Sequence, residues 1–214
     1  MKRFFYITVI FVSIAAVFVS CSEKPDDTIA NLKKAITGEV NSIAIYRAFS
    51  AKALEEGHKN IANVFRAVAV AEEIHLKNHN EVLKKMGESE FHPTAETPTV
   101  NSSVENLHAA IDGETNEFAV LYPDFISTAK KGNFSDAERS FTLAKLAEEN
   151  HAVRLSDVLN IILTTENDKT FPSKLFVCTE CGGMFTAPFT RCLICKADAE
   201  RQFYQPRMFD ADQL

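Results

Sequence analysis

Two stretches of this chain put charge where a helix should be dry. Glu72-Glu73-Ile74-His75 and Glu148-Glu149-Asn150-His151 each carry Glu-x-x-His inside a run with helical apolar spacing. The i to i+3 spacing sets the glutamate and the histidine of each motif on one helix face. Phe65, Val68, Ala69 and Leu76 share that face around Glu72; Phe141, Ala144, Ala152 and Leu155 share it around Glu148. Glu39 lies in the same way among Leu32, Ala35, Ile36, Ile43 and Tyr46, and Glu114 among Leu107, Ala110, Ile111, Phe118 and Leu121. A single Glu-x-x-His is usually a solvated surface pair. Two copies in register, with two further core-side glutamates, reverse that expectation, because buried carboxylates are costly unless they are paired or bind metal. A fold that gathers these four helices must therefore hold cations at its centre.

The helices are bounded by ordinary start and stop residues. The spacing predicts helices over 28–57, 59–86, 104–131 and 135–164, with Gly57, Gly87 and Gly132 as stops. Ser103 is the expected N-cap of the third, and Ser135 with Glu138 a capping box on the fourth. Pro123 falls inside the third helix and should kink it near Leu121. The first and last connections are short, so those pairs are antiparallel hairpins. The middle link, about residues 88–102, can extend to ~50 Å, enough to run the ~38 Å length of a 25-residue helix. The result is a mainly α chain, a four-helix bundle with one long crossover.

The chain also repeats itself. A shift of 75 lays Leu32, Ala35, Ile36, Gly38 and Glu39 on Leu107, Ala110, Ile111, Gly113 and Glu114; a shift of 76 lays Glu72 and His75 on Glu148 and His151. Two similar hairpins facing each other make a site of approximate two-fold symmetry. The clear break is Glu117, which faces the same site as Glu114 but has Ser42 at the equivalent place. The glutamates at 39, 72, 114, 117 and 148 supply five negative charges. Two ferrous or two ferric ions bring that sum near neutrality, as a buried site requires. Mixed carboxylate and imidazole donors suit iron or manganese better than structural zinc. Tyr46 and Tyr122 lie two turns along the faces of Glu39 and Glu114 and are placed to orient ligand carboxylates. His79 is expected at the bundle edge.

Residues 1–21 read as a leader. Lys2 and Arg3 precede an apolar run from Phe4 to Val19, 16 residues long, short of the ~20 needed to span a bilayer. A small residue then Cys21 resembles a lipoprotein cleavage site, which implies an exported, lipid-tethered protein facing the periplasm or cell exterior. A plain secretory signal and an uncleaved anchor are the alternatives. The net charge of -6, about -8 once Lys2 and Arg3 are removed, shows no basic stripe and argues against a nucleic-acid partner. The four remaining cysteines form Cys178-x-x-Cys181 and Cys192-x-x-Cys195, a paired-knuckle pattern for one tetrahedral four-thiolate metal. Gly182 permits the first tight turn. In an exported protein a pair of disulfides is the competing assignment.

Taken together, these residues resemble the rubrerythrin family across roughly residues 28–209. The resemblance rests on Glu39 with Tyr46, Glu72 with His75, Glu114 with Glu117 and Tyr122-Pro123, Glu148 with His151, and the four cysteines. It implies a ferritin-like bundle at 28–165 and a small rubredoxin-like domain at 171–214. It implies two irons, carboxylate- and oxo-bridged, held by Glu39, Glu72, His75, Glu114, Glu117, Glu148 and His151. It also implies one iron, or zinc, on Cys178, Cys181, Cys192 and Cys195. Glu117 and His75 are then the residues that exchange on one iron between oxidation states. The implied activity is reduction of hydrogen peroxide to water, with Glu117, His75, Tyr46 and Tyr122 at the catalytic centre. An electron donor the sequence does not name and a head-to-tail homodimer complete the expectation. The competing readings are a ferroxidase or iron-handling protein with a structural zinc tail, and a tethered metal-binding module without turnover.

Overall fold

Four long segments with one apolar face can bury those faces only by lying lengthwise against each other. In the computed structural model, which describes residues 25–165, 167–197 and 207–213, they do so. α1 is Pro25–Glu55 and α2 is Lys59–Lys85. The third segment is α3 (Ser103–Asn116), a π-helical turn (Glu117–Leu121) and α4 (Tyr122–Lys131); the fourth is α5 (Ser135–Thr165). α1 packs along α2, α3 and α4 pack along α5, and α2 meets α5 across the middle. The expected leader, with Lys2, Arg3 and Cys21, lies outside the described residues. Among the described residues, no helix is long and apolar enough to cross a membrane.

Several boundaries differ from the sequence expectation. Ser103 is the first residue of α3, and Ser102 is its N-cap. The Ser102 hydroxyl accepts from the Glu105 N–H and the Glu105 carboxylate accepts from the Ser102 N–H. α5 begins at Ser135 itself, with the Glu138 N–H bonded to the Phe134 carbonyl. Gly57 and Gly87 take φ +84 and +87 as helix stops, but after α4 the left-handed place is filled by Asn133 at φ 60. Asparagine tolerates that conformation. Gly132 is needed for room instead, since a Cβ there would lie 2.5 Å from the Phe134 ring.

Where a kink is expected near Leu121 the chain makes a π turn, and its origin is arithmetic. Glu39 and Tyr46 are seven residues apart, whereas Glu114 and Tyr122 are eight apart. The π turn absorbs the extra residue and keeps Tyr122 pointing inward, 2% exposed. Phe118 and Leu121 are left only partly buried. Pro123 falls in the first turn of α4, directly after the π turn. Two apolar clusters flank the centre. One holds Tyr46, Phe49, Phe65, Leu107 and Leu155; the other holds Leu32, Ile36, Tyr122, Phe125 and Phe141.

After the bundle comes a small three-stranded antiparallel sheet in the order β2-β1-β3. Its strands are β1 (Lys174–Val177), β2 (Met184–Phe185) and β3 (Arg207–Asp210). The connection is not a free linker. The Asp168 carboxylate accepts from the backbone N–H groups of Asn60 (2.7 Å) and Ile61 (3.0 Å), capping α2. The Asn60 side chain donates to the Asp168 and Phe171 carbonyls, and the Asn63 side chain to that of Ser173. A helix start leaves its first N–H groups unpaired. Here the partner comes from 108 residues away.

Candidate metal centre

The four helices deliver two overlapping groups of donors to the bundle centre. Glu39, Glu72, His75 and Glu148 form one, and Glu72, Glu114, Glu148 and His151 the other; within each, the donor atoms lie within 4.8 Å of one another. All six side chains are at most 1% exposed. Glu72 and Glu148 belong to both groups, while Glu39 with His75 and Glu114 with His151 serve one each. Glu117 stands apart: its carboxylate lies 3.7 Å from where a Cβ on Gly38 would be, outside both groups.

The histidine tautomers show what the cluster is for. His75 Nε2–H donates to the Cys181 carbonyl and His151 Nε2–H to the Gly182 carbonyl, each at 3.0 Å. In neutral rings this leaves the Nδ1 lone pairs facing inward. There His75 Nδ1 meets Glu72 Oε2 and Glu148 Oε1, and His151 Nδ1 meets Glu148 Oε2, all at 2.9 Å. Acceptors facing acceptors repel unless a cation lies between them. Six inward atoms, Glu39 Oε2, Glu72 Oε1, Glu114 Oε2, both oxygens of Glu148 and His151 Nδ1, have no hydrogen-bond partner. Buried unpaired acceptors of this kind fit two metal ions.

Without metal, protons take that place. Burial opposes a charge on His75, but the Glu148 carboxylate overrides it and holds the imidazole up at about 10. His151 is raised in the same way, against burial, by Glu114 and Glu148. Burial pushes Glu114 up to about 7, against the bond with His151. Burial, with neighbouring carboxylates, raises Glu72 and Glu117 well above the usual range. Burial also acts to raise Glu148, but the two histidines hold it down at about 2.

Metal must displace these protons. Loading ferrous iron at pH 7 should therefore release several protons per chain, and affinity should weaken as pH falls from 7 to 5. Titration calorimetry in two buffers of unlike ionisation heat reads the number; no proton release would contradict the assignment. Stability of the metal-free chain follows the same signs. Glu148 contributes stability above 4.5 that is lost as pH falls through about 2. His75 contributes below 6.5 and its share is lost as pH rises through about 10; Glu114 loses its share between 4.5 and about 7. The metal-free melting temperature should thus peak near pH 5, on the acid side of the loaded protein.

Two tyrosines and one histidine support the centre, with partners the spacing does not reveal. The Tyr46 hydroxyl donates to Glu114 and the Tyr122 hydroxyl to Glu39, each reaching the glutamate of the other half. Burial, then the nearby carboxylates, keeps both phenols protonated as donors. His79 is fully buried rather than at the bundle edge. Its Nε2–H faces the Tyr122 oxygen at 3.2 Å, and Ser140 bonds its Nδ1 at 2.8 Å. At i+4, His79 shares the inward face of α2 with His75, and both are buried.

The four cysteines sit directly above. Cys178 and Cys195 sulfurs are 3.6 Å apart and those of Cys181 and Cys192 3.7 Å, so no disulfide joins them. A metal ~2.3 Å from each sulfur needs tetrahedral edges of about 3.8 Å. The turns are closed by Gly182 N–H to the Cys178 carbonyl and Lys196 N–H to that of Cys192. Gly182 (φ +76) and Lys196 (φ 62) take the left-handed place in each. A Cβ on Gly183 would meet Ile194 at 2.5 Å, which leaves no room for a side chain. Asn78 donates to the Glu180 carbonyl, and Asn150 accepts from the Met184 N–H at 2.7 Å, fastening the knuckle to α2 and α5.

The rubrerythrin family profile matches residues 30–159. Nigerythrin of Nitratidesulfovibrio vulgaris is 37% identical over 169 residues, 78% of this chain and 81% of that protein. Rubrerythrin-1 of Clostridium acetobutylicum is 31% identical over 192 residues, 86% of this chain and 95% of the relative. The solved structure of nigerythrin in its fully reduced, all-ferrous state superposes with a TM-score of 0.74 at 31% identity, covering 94% of this chain and 100% of that one. The fold, the carboxylate and histidine cluster and the four-Cys site all agree with that likeness. This chain belongs to the rubrerythrin family, with a di-iron site in a ferritin-like bundle, a four-Cys metal site beside it, and an oxidoreductase role in oxidative-stress defence.

Proposed function

We propose that the protein reduces hydrogen peroxide to water at the bundle centre, with electrons relayed through an iron on the four cysteines. The observation that carries this reading is the seating of the first knuckle on the two histidines. The Cys181 carbonyl meets His75 and the Gly182 carbonyl meets His151, each at 3.0 Å. A structural tail has no use for such a contact; an electron carrier does.

The residues divide the work. Glu72 and Glu148, common to both donor groups, would be shared by two metals; Glu39 with His75 and Glu114 with His151 would each hold one. When bound, the iron pair supplies Lewis acidity and two electrons to the O–O bond. Four carboxylates would balance two divalent ions, and Glu117 is the fifth carboxylate available to a higher metal charge. We assign the arrangement with His75 inside and Glu117 outside to the reduced state, and an exchange of the two to oxidation. Protons follow Ser140, His79, Tyr122 and Glu39, a hydrogen-bonded chain that starts at a surface cavity of about 260 Å³ lined by Ser140. Replacing either tyrosine by phenylalanine should lower iron affinity or turnover about 10- to 100-fold. Tyr122→Phe alone should also enlarge the solvent isotope effect on turnover, because Tyr46 is not on that chain.

The test is optical. The chain from residue 22 is loaded with iron without oxygen, fully reduced, and mixed with hydrogen peroxide. Return of the ferric four-thiolate colour within seconds supports the reading. If that colour never forms while the bundle still oxidises ferrous iron, the tail is zinc and the protein handles iron.

We also propose export and tethering through Cys21, and a head-to-tail homodimer. Full-length protein made in a bacterium that processes lipoproteins should take up labelled palmitate. Cys21→Ser should abolish the label; a label that persists contradicts the assignment. Sedimentation at the monomer mass contradicts the dimer.

A further inference from the structure

The two halves of the bundle are unequally filled. Beside Glu39, among Lys34, Gly38, Tyr122 and Phe125, there is a cavity of only about 30 Å³. The repeat places Ala109, Gly113, Tyr46 and Phe49 at the matching positions beside Glu114, and there the cavity measures about 360 Å³. Two differences stand out. Ala109 replaces Lys34, and Ser42 lies where the other half has Glu117. Glu117 borders both cavities. The large one is lined by Tyr46, which bonds Glu114, and by Glu117; Ile45, Phe49, Ala109 and Pro98 give it apolar wall, and Asn41, Ser42 and Thr97 polar wall. The crossover forms its roof, pinned to α1 by the Glu96 N–H on the Asn41 side-chain oxygen at 3.0 Å.

Hydrogen peroxide does not need this space. Water takes about 30 Å³ in the liquid, so a peroxide molecule needs about two such volumes. A cleft above about 300 Å³ with aliphatic and aromatic wall among a few polar groups has the size of an organic-ligand site. We propose that this cavity seats the organic group of an alkyl or aryl hydroperoxide, and that such hydroperoxides are substrates of the same centre. The inference rests on the peroxidase reading. The hydroperoxide ROOH gains two electrons and two protons. Its O–O bond breaks, one oxygen leaves as water, and the other stays on R as the alcohol. The electrons come from the ferrous pair, which becomes ferric.

The test uses the iron-loaded full chain and two probes. Cumene hydroperoxide is the reactive one; its alcohol product, 2-phenyl-2-propanol, reports occupancy by ligand-observed NMR without turnover. A Cβ on Gly113 would meet nothing within 4 Å, so Gly113→Phe can fill the cavity. The wild-type chain should bind the alcohol and be reoxidised by both peroxides. In Gly113→Phe, alcohol binding should vanish and the cumene hydroperoxide rate should fall at least about tenfold, with the hydrogen peroxide rate kept. No alcohol binding, or equal slowing of both peroxides, overturns the proposal. If neither peroxide reoxidises the wild-type chain, the peroxidase reading fails and the proposed substrates fail with it, whereas silence toward cumene hydroperoxide alone overturns only this inference.

Discussion

Replacing Glu148 by alanine should empty both metal positions of the bundle at once, while replacing Glu114 should empty one. The distinction follows from geometry: Glu72 and Glu148 are common to the two donor groups, and Glu39 and Glu114 are not. Glu148 carries the larger effect, because each of its oxygens lies 2.9 Å from a different histidine. Removing it takes from each buried imidazole one carboxylate partner, leaving Glu72 at 2.9 Å from His75 and Glu114 at 3.4 Å from His151. Breaking a buried pair in this way costs about 3–5 kcal/mol, a large part of a typical total stability of about 5–15 kcal/mol. The metal-free Glu148→Ala chain should therefore melt far below wild type, and Glu148→Gln keeps the shape for comparison. The measurement is bundle iron per chain after anaerobic loading, with the four-thiolate colour as internal standard. Expected values are two for wild type, one for Glu114→Ala and none for Glu148→Gln. A Glu148 variant that keeps one tightly bound iron would sink the bridging assignment.

Gly182→Ala should separate the two metal sites without replacing a ligand of either. Gly182 has φ +76, and a Cβ there would lie 2.5 Å from His75 Nε2 and 3.2 Å from Ala71. The left-handed backbone alone costs a non-glycine residue about 1–2 kcal/mol, and the steric overlap adds to it. The strain falls on the knuckle turn docked or not, so the docking equilibrium feels only the overlap; about 1.4 kcal/mol of it lowers docking about tenfold. Both sites should still fill, but reduction of the oxidised bundle through the tail should slow in proportion. Rapid mixing of a reduced tail with an oxidised bundle reads this directly. Unchanged electron return would show that the Cys181 and Gly182 contacts are not the path.

What the sequence made legible was local. Helix lengths, the apolar faces, the two Glu-x-x-His motifs and the paired knuckles all follow from spacings of a few residues. The structure assembles six of the seven expected bundle ligands, and Glu117 lies apart from them. Contacts set by how helices pack were out of reach. The spacing placed Tyr46 beside Glu39, yet its hydroxyl crosses to Glu114. His79 looked peripheral because its neighbours Ser140 and Tyr122 belong to other helices. Asp168 stood in an unremarkable polar stretch, since a cap from 108 residues away leaves no trace near α2. The π turn did leave a trace, the change of repeat offset from 75 to 76, but its meaning needed the third helix in view.

That one-residue difference bears on descent. A hairpin pairing with an identical copy would hold two metals related by a true two-fold axis, alike in ligands and affinity. In such a homodimer every mutation strikes both halves, so neither metal can be changed alone. Fusing the two hairpins into one chain removes that constraint. One half can then lengthen by a residue and gain a spare carboxylate at Glu117, while the other keeps Ser42 and an open cavity. The π turn marks the departure from symmetry: within one chain, either half of the site can change without the other.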